Sequence, residues 1–372
     1  MRYQSPFPVF PLGLAVVLAC AAGSAHGATL VVANKAEATV SLVDIATGAV
    51  RATLPVGEGP HEVAISPDGR LALVGNYGVR NAPGSSLTLI DVPGAAVVRT
   101  IDLGEYQRPH GIVWLADGIR AVVTAETNKA LLVVDTAGGE VVSAVDTDAE
   151  ISHMVAVTPD GSRAFVANIR SGSVTVVDLR TNTRVDNLPT GEGAEGVAVT
   201  PDGATVWVTN RAADSVTVLD ARSLEVLATL ESPSFPIRAV ATADGRRVLV
   251  TNARSGDVSV FDAATRTLER RLSLRVEASE VEGRLFGDAF GTSSVPIGIV
   301  VTPDGTRAFI AHSNADQISV VDLESWKVIG ALKAGKEPDG MAISSHNVPA
   351  PAANGAVALA PRCGTKGGGG ST

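Results

Sequence analysis

Cysteine is nearly absent: 372 residues hold only Cys20 and Cys363. Cys20 lies in an N-terminal apolar run that reads as a leader, so the mature chain keeps Cys363 alone and no internal disulfide can staple it. No C-x-x-C-H occurs, which excludes a covalently attached c-type haem. Aromatic residues are scarce at 4% while apolar residues reach 45%, and small β-branched interiors of this kind suit stacked sheets rather than a helical bundle. Positive charge is in deficit, with 30 Lys and Arg against 39 Asp and Glu. With no basic tract and no aromatic-basic interleaving, nucleic acid is excluded as a partner. A Walker loop, a G-x-S-x-G elbow and a serine with a placed base are all missing, so neither a nucleotide cofactor nor serine catalysis is expected.

Long hydrophobic runs are lacking too. Leu12–Ala22 falls short of the roughly 20 apolar residues a spanning helix needs. Arg2 precedes this run and Ala25-His26-Gly27 follows it, so residues 1–27 read as a signal peptide and the chain is expected to be exported, periplasmic or extracellular. Val17-Leu18-Ala19-Cys20 resembles a lipobox, which keeps lipidation at Cys20 as the alternative. Val348–Thr372 is rich in Pro, Ala and Gly and is expected to be a disordered tail, leaving 28–347 as one domain and a monomer.

Repetition is what the sequence has in abundance. A turn motif recurs as Ser66-Pro67-Asp68-Gly69, Ala116-Asp117-Gly118, Thr158-Pro159-Asp160-Gly161, Thr200-Pro201-Asp202-Gly203, Thr242-Ala243-Asp244-Gly245 and Thr302-Pro303-Asp304-Gly305. Each copy sits between two short apolar strands, where Pro and Asp-Gly supply the dihedrals of a tight hairpin. A second series, Asp44, Asp91, Asp135, Asp178, Asp220, Asp262 and Asp322, closes alternating runs such as Ser173–Val177. Its spacing is 42 to 47 residues, except for 60 between Asp262 and Asp322. Four strands in about 42 residues make one propeller blade, so the fold expected is an all-β, seven-bladed β-propeller. The first copy lacks a first strand and the last copy ends on one, Gly340–Ser344. Together they should complete a blade and seal the ring without open sheet edges.

With Val208-Thr209-Asn210, Val250-Thr251-Asn252 and the T-P-D-G turns, nearly all of Leu30–Ser345 resembles the YVTN family of bacterial β-propeller repeats. That family is more distantly similar to lactonase-type propellers and to the haem-d1-binding propeller of a nitrite reductase. The resemblance implies fold and export. The family is functionally mixed, so it implies no single reaction. The three tryptophans, Trp114, Trp207 and Trp326, do not form the periodic motif of quinone-dependent dehydrogenase propellers.

Inner strands line the channel, and one rim gathers the starts of the first strands and the ends of the second. The starts are His61, His110, His153, Glu195, Ile237, Ile297 and Asp339; the ends are Asn34, Asn76, Glu126, Asn168, Asn210, Asn252 and His312. His61, His110 and His153 with Glu195 match the ligand set of a zinc, copper or iron site that keeps an open position. Glu195 or Glu126 would serve as general base if the metal activates water, and Glu62 or Glu126 would orient a ligating imidazole. Arg108 and Arg238 are placed to hold a carboxylate or phosphate, with Asp339 and His312 as further ligand contacts. Two insertions, Tyr77–Ser85 and Arg275–Ser294, fall on the same rim, and Phe286 and Phe290 of the second would cover its apolar half. The leading function is therefore an exported propeller binding a small molecule or peptide at the channel mouth, with a His-coordinated metal as the holding device. A metal-dependent hydrolase or lactonase, a copper oxidoreductase, a protein-interaction platform and a solvated structural ring stand as alternatives.

Overall fold

The computed structural model describes residues 28–350 apart from 280, 281 and 285. The expected leader and all of the expected tail beyond Ala350 lie outside the described residues. Seven four-stranded antiparallel sheets follow one another around a ring. Blades 2 to 7 are each continuous in sequence, whereas blade 1 is assembled from both ends. Its channel strand, Pro338–Ser344, pairs with Thr29–Asn34, and Thr39–Asp44 and Val50–Pro55 follow outward. The ring is thus closed non-covalently by the strands the repeat register pointed to.

Blades stack face to face, so both faces of the two middle strands are covered and their sequences run almost continuously apolar. Thr205–Asn210 and Ser215–Asp220 are buried along nearly their whole length. The outermost strands, such as Thr267–Ser273, face solvent and carry charge. Turn chemistry accounts for the two repeat series. In the blade 5 turn, Thr200 Oγ1 donates to Asp202 Oδ1 at 2.6 Å, Ala204 N donates to the same oxygen at 3.0 Å, and Gly203 takes φ +71°. At the end of a third strand, Asp44 Oδ1 accepts from Ala46 N and Thr47 N at 2.9 and 3.0 Å. Both series are structural caps. Val348, which the sequence assigns to the tail, is buried against Val31, Val63 and Ile90 and so belongs to the domain.

Two backbone devices aim side chains at the axis. The residue entering each first strand has positive φ: Gly59, Arg108, Ile151, Gly193, Phe235, Val295 and Glu337, between 51° and 74°. Immediately after it, the pairing register of the first and second strands shifts in every blade, a bulge that re-aims a side chain. Ile151 and Val295 are β-branched, a residue type for which this conformation is a genuine outlier. Strain of about 1–3 kcal/mol at such residues persists only where the surrounding structure over-determines it.

Candidate functional site

Three concentric sets of side chains build the mouth. The uppermost is the set of first-strand starts: Asp339 on blade 1, then His61, His110, His153, Glu195, Ile237 and Ile297 on blades 2 to 7. All seven line one cup of about 270 Å³.

The second set is the residue that follows the second-strand position paired with the opening residue of the first strand: Lys35, Tyr77, Glu126, Ile169, Arg211, Ala253 and Ser313. Of these, Tyr77, Glu126, Ile169 and Arg211 also line the cup. The sequence reading placed Glu126 one position too early. In blade 3 the residue paired with Pro109 is Ala125, the counterpart of Asn76 or Asn168, and Glu126 follows it on the channel side. The repeat's asparagines do different work. Asn34, Asn168 and Asn210 donate to Ser41, Thr175 and Thr217 seven residues on, at 2.9 to 3.0 Å. In blade 3 that polar pair is replaced as a unit by Ala125 and Leu132, which pack in one apolar cluster.

His312 occupies an asparagine position and does the asparagine's work. Its Nε2 meets Ser319 Oγ at 2.8 Å, and its Nδ1 meets Ser294 Oγ at 2.7 Å. Burial lowers its pKa to about 4, so it is a neutral imidazole inside the blade and does not line the cup. Arg108 also stands apart: its guanidinium lies 4.8 Å over the Tyr77 ring and donates to the carbonyls of Val79 and Arg80. It clamps the hairpin formed by the first insertion. Phe290 is packed with Ile237, Val295 and Ile297, and Phe286 stacks on it while bordering the cup.

The third set lies one residue deeper in the first strands and alternates small with large: Gly340, Glu62, Gly111, Met154, Gly196, Arg238 and Gly298. A Cβ on Gly340 would fall 2.6 Å from Glu62 Cα, and one on Gly196 would fall 2.9 Å from Arg238 Cα. Glycine is what lets each neighbouring strand carry a long side chain inward. Arg238 of blade 6 reaches across to Glu62 of blade 2, with Nη2–Oε1 2.7 Å and Nε–Oε1 3.2 Å. This buried ion pair bridges the channel and floors the cup.

Electrostatics divide the histidines. His61 Nδ1 donates to Gly59 O at 2.8 Å, which fixes its tautomer and leaves Nε2 with a lone pair. Burial, reinforced by Lys35, holds its pKa well below the usual value; burial and the neighbouring His153 do the same to His110. His110 Nδ1 is buried without any partner. For His153 burial works in the same direction but is outweighed by Glu126 and Glu195, so its pKa is raised. His153 Nδ1 bonds Glu126 Oε1 in a short contact, while Nε2 lies 3.3 Å from Glu195 Oε1. Tyr77 Oη donates to the other Glu126 oxygen at 2.6 Å. Burial alone would raise Glu195, yet His153, Arg211 and Arg238 draw it down to about 2. Glu195 is therefore a fixed buried anion, too weak a base to take a proton at neutral pH. Burial raises both Glu62, against Arg238, and Asp339, against Lys35.

The expected metal set is regrouped. Ligand atoms of His110, Glu126 and His153 all lie within 4.8 Å of one another, and all three residues are buried. Among the described residues, His61 and Glu195 fall outside that group. His61 sits 5.2 Å from His110 between ring centroids, and Glu195 faces the arginines.

The Cytochrome D1 heme domain family matches residues 118–239, well under half of the chain. The residues here do not fit that group: the cup is already below the roughly 300–1,000 Å³ of ordinary ligand pockets, a tetrapyrrole needs more, and the Glu62–Arg238 pair blocks deeper entry. No curated protein matches the sequence. Among solved structures, the periplasmic gluconolactonase of Pseudomonas aeruginosa is 19% identical with TM-score 0.67, over 87% of this chain and 100% of that one. A functionally unknown protein from Desulfotomaculum acetoxidans is 17% identical with TM-score 0.69, over 86% and 99%. Hydrazine synthase of Kuenenia stuttgartiensis is 18% identical with TM-score 0.64, over 76% and 88%. At such identities the likeness is one of fold: the chain is a seven-bladed β-propeller with similarity to haem-d1 and lactonase propellers.

Proposed function

We propose that this chain is an exported β-propeller that binds a small ligand in the channel-mouth cup through a divalent transition metal held by His110, His153 and Glu126. The observation that carries this reading is the convergence of three buried ligand atoms within 4.8 Å, one residue of the three having a ring nitrogen with no partner at all. Two imidazoles and one carboxylate suit zinc or non-haem iron and leave coordination positions free for a ligand oxygen. Tyr77, bonded to the second oxygen of Glu126, is the group that orients the carboxylate. Binding is favoured over hydrolysis because Glu195 is locked by Arg211, Arg238 and His153 and Glu126 is itself a ligand, so neither supplies a free base. Export rests on the leader pattern of residues 1–27.

A metal-free reading is supported by a different observation. Tyr77, Glu126, His153, Glu195 and Arg211 already form an unbroken chain of polar contacts, so the cup would hold its ligand by hydrogen bonds alone. Single replacements separate the two. With the metal reading, His110→Ala, His153→Ala and Glu126→Ala each weaken zinc or iron affinity by at least about tenfold. His346→Ala is the matched control, because His346 lies on the opposite rim against Asp68 O at 3.1 Å. Equilibrium dialysis reads the affinity. Three variants that hold metal as wild type does would leave the metal-free cup.

A further inference from the structure

The order of blades around the ring sets Ile237 and Ile297 of blades 6 and 7 across the channel from His110 and His153 of blades 3 and 4. Phe286 joins the isoleucines. It stacks on Phe290 with centroids 4.6 Å apart and planes 23° apart, and meets Phe235 edge-on at 5.5 Å. Braced in this way, it still borders the cup. The facing wall is also built from flat rings: His110 lies 3.6 Å from His153, and Tyr77 lies 4.2 Å from His61. Rings on both sides favour a planar guest, since aromatic pairs gain about 0.5–1.5 kcal/mol beyond the area they bury. At about 270 Å³ the cup is large enough for a six-membered ring with a substituent, since a cavity of about 150 Å³ already holds benzene. Meanwhile His110 Nδ1, on blade 3, is a buried ring nitrogen with no hydrogen-bond partner, and as an N–H it would donate to the oxygen-bearing head of a guest in the cup.

We infer that the ligand is a small aromatic oxyacid: a single planar ring against Phe286 and the two isoleucines, its carboxylate or phenolate oxygen turned to the histidine wall. The inference rests on the cup being the binding site and stands whether or not a metal mediates the oxygen contact. Isothermal titration of the mature chain with benzoate, cyclohexanecarboxylate and acetate tests it. Benzoate should bind at least about tenfold tighter than acetate from the added buried area, and about threefold tighter than the saturated ring. Phe286→Ala should bring benzoate down towards the acetate level. Equal affinity for all three acids, no benzoate binding at millimolar concentration, or a ring preference that survives Phe286→Ala would overturn it. Ring preference retained by metal-stripped protein would leave this inference intact and remove only the metal reading. Metal retained without ring preference would do the reverse.

Discussion

Deleting residues 28–56 should leave no folded monomer. The deletion removes three strands of blade 1 and strips Pro338–Ser344 of its partner. Leu30, Val31, Val32 and Leu42 are completely buried, each contributing about 1.5–3 kcal/mol by burial. Together they rival the whole stability of a domain, about 5–15 kcal/mol. Polar locks go with them: Thr29 Oγ1 donates to His346 O at 2.7 Å, and Gly335 N donates to Asn34 Oδ1 at 3.0 Å. The exposed channel strand would offer a free edge for intermolecular pairing. Size-exclusion chromatography should show aggregate, whereas truncation after Ala350, which spares the buried Val348, should elute as wild type. A monomeric deletion product with wild-type stability would refute closure by the chain ends.

The second large effect belongs to the floor of the cup. Arg238→Met leaves the buried Glu62 without its cation and takes one of the cations from Glu195. Removing one partner of a buried pair typically costs about 3–5 kcal/mol, because the remaining charge stays buried. Urea midpoints should fall accordingly. The double variant Arg238→Met with Glu62→Leu should recover part of the loss, since no orphan carboxylate remains at blade 2, and the non-additivity measures the coupling across the channel. Strictly additive losses would show that the two residues do not hold each other.

Blade number and closure were legible in the sequence because their signals are local. A Thr-Pro-Asp-Gly turn and an Asp at a third-strand end each satisfy neighbouring backbone donors, so their residues recur wherever the turn recurs. The uppermost set of the mouth was legible for a similar reason: His61, His110, Ile237, Ile297 and Asp339 each follow a proline. The second set escaped notice because it sits one residue beyond the conspicuous asparagines, and a shift of one residue turns a side chain to the other face. Glu126 was drawn into the wrong set because Ala125 hides the asparagine position. Leu132, standing where other blades have Ser or Thr, was the available clue. His312 drew attention as an ionisable exception although Ser319, seven residues on, marked it as an asparagine substitute. The floor was missed because the pairing of Glu62 with Arg238 joins non-adjacent blades. Its trace was the alternation of Gly340, Gly111, Gly196 and Gly298 with three long side chains.

The central claim is that His110, His153 and Glu126 hold a metal at the channel mouth. Elemental analysis of the protein, purified without added metal and then dialysed against zinc and ferrous iron, tests it most directly. The account predicts close to one equivalent of bound metal per chain. A chain that carries none and takes up none would contradict it, and the cup would then be a metal-free site built on the Tyr77–Glu126–His153–Glu195 chain of contacts.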